Sequence, residues 1–118
     1  AASLPESRGT EVEPVIAKNL DLVRAKLLEG RPKEAFELLE SLGNPDRFSD
    51  IYSQFRWHTN RAAALLLEGK KPEAAREYLT AAATDPKLEK AWSNRAHAHL
   101  LLGDANAALD ATRDGLVA

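Results

Sequence analysis

The chain repeats itself at a spacing of 34 residues. Asn60-Arg61-Ala62-Ala63-Ala64-Leu65-Leu66-Leu67-Glu68-Gly69 returns as Asn94-Arg95-Ala96-His97-Ala98-His99-Leu100-Leu101-Leu102-Gly103, with seven of ten positions identical. Ala74 returns as Ala108 at the same spacing, and Gly30 and Ala35 stand 39 residues before Gly69 and Ala74. A period in this range describes a stack of supersecondary units, each covering the face of its neighbour, rather than one globular core.

The units are helical. The hydrophobic fraction of 44% is supplied mostly by Ala and Leu. Both are strong helix formers, and no run is rich in β-branched residues. Sixteen basic and 18 acidic residues leave a net charge of −2, which argues against a nucleic-acid binder. No apolar run approaches the ~20 residues that a bilayer span needs, so no membrane insertion is expected. Cysteine is absent, which removes disulfides and thiolate metal sites and is compatible with a reducing or an oxidising compartment. A soluble chain is expected, cytoplasmic rather than exported. Methionine is also absent and the chain opens Ala1-Ala2-Ser3, as a domain excised from a longer protein or a chain freed of a leader would.

Punctuation sets the helices. Residues 1–12, with Pro5 and Gly9, read as a flexible lead-in, and the domain as residues 13–118. Thr10 and Glu13 have capping-box spacing, and Pro14 fits a first helical turn. Ile16, Leu20, Val23 and Leu27 mark one helical face that Gly30 closes. Pro32 opens a second helix, with Ala35, Leu38, Leu39 and Leu42 as its stripe, and Gly43-Asn44-Pro45 ends it. A third runs from near Ser49 to Glu68 and Gly69, and a fourth starts around Pro72 and stops at Asp85-Pro86. A fifth covers about Leu88 to Leu102. A sixth, capped by Asp104, reaches the chain end. Short loops pair these six helices antiparallel.

At this point the pattern resembles the tetratricopeptide repeat, whose unit carries Trp, Leu-Gly and an aromatic, then Ala-x-x-x-Phe and a closing Pro. Trp92, Ala96, Gly103 and Ala108 match in the last unit. Ala62, Gly69, Ala74-x-x-x-Tyr78, Ala81 and Asp85-Pro86 match in the middle one. Gly30, Ala35-x-x-x-Leu39 and Pro45 match in the first. The resemblance implies an all-α, right-handed α-solenoid of three antiparallel helix pairs, with repeats at about 14–45, 49–86 and 87–118. Ala62, Ala74, Ala96 and Ala108 would lie where helices cross closely, a place larger side chains would force open. Arg61, Arg95, His99 and Thr112 depart from the pattern.

In that family the first helix of each pair lines a groove that holds a peptide or helix of a partner. Carried over by position, the groove would show Ala17, Leu20, Asp21 and Arg24, then Arg56, Thr59, Asn60 and Ala63, then Lys90, Ser93, Asn94 and His97. Arg24, Arg56, Asn60, Lys90, Asn94 and His97 are the candidate contacts. The face is polar with a cationic tilt, and the two asparagines each offer a donor and an acceptor to a peptide backbone. The two-carboxylate clamp of one subfamily matches only at Asn60 and Lys90; Leu20, Arg24 and Asn94 depart from it.

Other constellations read more plainly. His97 and His99, two apart on a helix, cannot easily share a metal, and His58 has no companion at ligand spacing. Asp104, Asp110 and Asp114 fall on an exposed helix with no sign of a pocket. No phosphate loop or nucleophile constellation is visible, so no metal, cofactor or catalytic activity is expected. Phe48, Tyr52, Phe55 and Trp57 either seal the junction between the first two repeats or form an anchor pocket at one end of the groove. The last helix stops at Leu116-Val117-Ala118 without a capping helix, which predicts weak self-association through it. Two alternatives therefore stand beside a binding module: an assembly scaffold working through that end, and a regulatory domain of a larger enzyme.

Overall fold

The computed structural model describes residues 4–103 of the 118-residue chain, with side chains from Pro14 onward. Helices α1 (Leu4–Leu28), α2 (Pro32–Ser41), α3 (Ile51–Leu67), α4 (Lys71–Thr84) and α5 (Glu89–Leu101) follow in order, with a 3₁₀ turn at Pro45–Arg47 between α2 and α3. No strand occurs among the described residues. Helix α1 pairs with α2 and α3 with α4, while α3 also packs on α1 and α2, and α4 on α5. The expected sixth helix, with Asp104, Ala108, Thr112 and Leu116, lies outside the described residues.

Two turns show why the repeat recurs. Gly30 and Gly69 have φ of 73° and 80°, a region that costs any residue with a Cβ about 1–2 kcal/mol. At each, the glycine N–H bonds back three residues and the next N–H bonds back five: Gly30 to Leu27 and Arg31 to Lys26, then Gly69 to Leu66 and Lys70 to Leu65, at 2.9–3.0 Å. This pairing satisfies the last carbonyls of α1 and α3. In both cases a proline in the first turn of the next helix fixes its φ without wasting a donor. Helix α3 starts differently. Asp50 accepts from the Tyr52 amide at 3.1 Å and from the Ser53 hydroxyl at 3.0 Å, and Gln54 Nε2 donates to the Phe48 carbonyl at 2.9 Å. These bonds tie the longer connection that precedes α3 to its first turn.

Helix α1 begins at Leu4, ahead of the start that Thr10 and Glu13 predict. Pro5 falls at the second helical position, where no N–H is needed, and Gly9 lowers helix stability by only about 1 kcal/mol. Pro14 consequently lies inside the helix, where it supplies no donor to the ladder.

The core has two compositions. Ile16, Leu20, Val23, Leu39 and Phe48 join Ala35 and Ala64 at the first junction, with Trp57 packed against them. Around α4 the buried residues are mostly alanine: Ala81, Ala82 and Ala91 surround Phe55, and Ala62, Ala75 and Ala98 surround Tyr78. Ala62 and Ala74 are fully buried, as the crossing-point reading expects. Ala96 is only half-buried, whereas Ala91 and Ala98 of α5 are fully enclosed. The residues that the repeat would set against Ala96 lie outside the described ones. Two departures from the family pattern have local partners. Arg61 NH1 lies 3.4 Å from Glu77 Oε1, and the Arg95 guanidinium stacks 3.8 Å from the centre of the Trp92 ring.

Candidate binding groove

Helix α3 packs on α1, α2 and α4 and sets the site. Tyr52, Arg56, Thr59 and Asn60 recur at helical spacing and share one face. Asp21 and Arg24 of α1 approach from one side and Lys90 of α5 from the other, around a cleft of about 390 Å³. Arg24, Arg56, Asn60 and Lys90, four of the six candidate contacts, are brought together there although 66 residues separate the first from the last (90 − 24).

The charges in the cleft are unevenly satisfied. Arg56 NH2 donates to Asp21 Oδ1 at 2.7 Å, with 20% of the arginine side chain exposed against 72% of the aspartate. This bond fixes the guanidinium and neutralises it. Lys90 Nζ donates to the Tyr52 hydroxyl at 3.2 Å and sits 5.7 Å from the centre of its ring. The phenol orients the ammonium without cancelling its charge. Among the described residues, Arg24 and Asn60 make no side-chain hydrogen bond or ion pair. Among the described residues, two cations of the cleft, Arg24 and Lys90, thus have no carboxylate partner, and the Asn60 amide is unpaired.

The other two candidates are placed differently. Asn94 is 8% exposed, and its Nδ2 donates to Thr59 Oγ1 at 2.9 Å. Its amide ties α5 to α3 across 35 residues, and burial leaves little of it within reach of a peptide. His97 stacks on Tyr78 of α4, ring centres 4.8 Å apart and 11° from parallel. It does not line the cleft. Burial raises the Tyr78 pKa above its ordinary value of 10.0, because the phenolate would lose its hydration. Leu20, carried over by position as a groove residue, is fully enclosed in the first core cluster.

The aromatic concentration divides. Phe48 is buried in the cluster between α1, α2 and α3 and Phe55 in the cluster between α3, α4 and α5, while Tyr52 is exposed and lines the cleft. Carry-over by position missed Tyr52 and Phe55, which stand one helical turn before Arg56 and Thr59 and line the cleft. Elsewhere, His58 Nδ1 lies 2.7 Å from Glu77 Oε2, the same carboxylate that holds Arg61. No group of three or more His, Cys, Asp or Glu among the described residues is arranged to hold a metal ion. None of the described helices is long and apolar enough to cross a membrane.

Antiparallel helix pairs stacked through α3, with glycine-closed first helices and alanine at the crossings, define a tetratricopeptide-type helical repeat. The crystal structure of the TPR domain of Arabidopsis FLU is similar to this chain, with a TM-score of 0.65 at 18% sequence identity. The match covers 89% of this chain and 94% of that one, and it establishes the fold. No family model and no curated protein matches the sequence.

Proposed function

We propose that the chain is a protein-interaction module that holds an extended, acidic segment of a partner protein in the cleft formed by α1, α3 and α5. The observation that carries this reading is a pair of cations, Arg24 and Lys90, on opposite walls of a cleft with Asn60 between them, none of the three paired with a carboxylate among the described residues. An acidic side chain would meet each cation, and the Asn60 amide would pair with the peptide backbone. Arg56 acts through the shape that its bond to Asp21 gives the wall, and Asn94 by holding α5 at its distance from α3. The helices fix the cleft before a partner arrives, so little ordering entropy opposes binding.

The test is a peptide array of extended acidic and basic sequences, followed by titration of the best acidic peptide. Asn60→Ala combined with Lys90→Glu should weaken its binding about tenfold, since a rim cation becomes repulsive, with helical circular dichroism unchanged. Equal affinity in the folded double variant would sink the assignment.

A further inference from the structure

A second cleft, of about 480 Å³, lies on the opposite face of α3. Trp57, Arg61, Leu65 and Glu68 line it, and they recur on the side of the helix turned away from Tyr52, Arg56, Thr59 and Asn60. The cleft exists because α2 and α4 both lean on α3 with little contact to each other. Its floor is apolar. Leu39 and Leu65 are buried there, and Phe36 and Trp57 are half-buried. The indole is held in place, for Trp57 Nε1 donates to the Leu39 carbonyl at 3.0 Å.

The rim has a sign. Its two cations are already engaged: Lys70 lies 3.6 Å from Glu68, and Arg61 lies 3.4 Å from Glu77 of α4. Glu40 on α2 and Glu73 on α4 are exposed, line the cleft from its two walls, and have no ion-pair partner among the described residues. An apolar floor between two uncompensated carboxylates suits a bulky apolar side chain flanked by cations.

We infer that this α2–α4 cleft is a second docking surface, for a protein segment with an aromatic or leucine anchor between lysines or arginines. It is opposite in charge preference to the first cleft and does not depend on it. The module would hold two unlike segments on its two faces.

The experiment is an NMR titration of the full isotope-labelled chain with two synthetic peptides, acetyl-Lys-Lys-Leu-Phe-Lys-Lys-amide and its glutamate counterpart. The lysine peptide should move the Trp57 indole N–H and the Phe36 and Glu73 amides saturably, while the glutamate peptide leaves them in place. Glu40→Lys combined with Glu73→Lys should weaken the lysine peptide about tenfold, because both rim contacts become repulsive. Three results would overturn the inference: no saturable movement of the Trp57 signal, equal response to both peptides, or undiminished binding by the charge-reversed variant. Movement of the same signals on raising protein concentration alone would overturn it too, in favour of a second copy as occupant.

Discussion

The two junctions of this stack bury their surfaces by different means. At the first, between α1, α2 and α3, large side chains fill the space: Leu20, Val23 and Leu39 are fully enclosed, with Ile16 and Phe48 beside them. At the second, between α3, α4 and α5, six alanines allow the helices to approach, and Phe55 and Tyr78 supply the bulk. One junction draws its stability from apolar area on long side chains, the other from backbone proximity and contact density. A single repeat pattern therefore hides two packing regimes, and they should fail in opposite ways.

Truncation should break the first. Leu20→Ala removes a fully enclosed side chain and leaves a cavity that rigid neighbours cannot close, so a loss of about 3 kcal/mol is expected. Urea unfolding followed by circular dichroism measures it. A loss below about 1 kcal/mol would mean that α1 collapses onto α3 and that the junction is not closely packed.

Enlargement should break the second. Ala62 has no exposed surface and is enclosed by Ala75, Tyr78 and Ala98. Ala62→Leu has nowhere to place its extra carbons without pushing α4 or α5 away, at a cost of about 2 kcal/mol. The same urea experiment reads it. If the leucine is neutral or stabilising, the alanines there reflect spare room rather than close approach, and the contrast between the junctions disappears.

Much of this was legible in the sequence, and the parts that were not share a cause. Gly30, Gly69 and the prolines after them mark helix ends because φ and the missing N–H act within a few residues. The face carrying Arg24, Arg56, Asn60 and Lys90 was readable because 3.6-residue spacing and the repeat together fix which way a helix turns. The start of α1 was obscured by Pro5 and Gly9, whose breaking effect depends on where in the helix they fall. The bond from Asn94 to Thr59 and the stack of His97 on Tyr78 depend on how far α5 stands from α3 and α4. Local spacing does not encode that distance. The α2–α4 cleft is hidden for the same reason: it is a gap between two helices that each satisfy the repeat pattern alone.

The smallest effect separates the junctions by chemistry rather than by volume. Only the second has a core tyrosine among the described residues, and burial raises the Tyr78 pKa above 10.0. Below that value the phenol is neutral in both the folded and the unfolded chain, and the preference for the neutral form is fully realised. As pH rises past 10.0, the unfolded chain releases this proton first, so unfolding becomes coupled to proton loss and stability declines. The decline continues until the raised folded value is passed. Tyr78→Phe keeps the ring against Ala62, Ala75 and Ala98 and removes the proton, so it should abolish this part of the alkaline loss while leaving the profile near neutrality unchanged. Thermal midpoints of both proteins, measured from pH 7 to the alkaline limit of the fold, should run parallel up to about pH 9 and then separate, with the tyrosine protein falling faster. Profiles that stay parallel to the end would show that Tyr78 ionises as easily in the folded chain as in the unfolded one, and that water reaches the second junction after all.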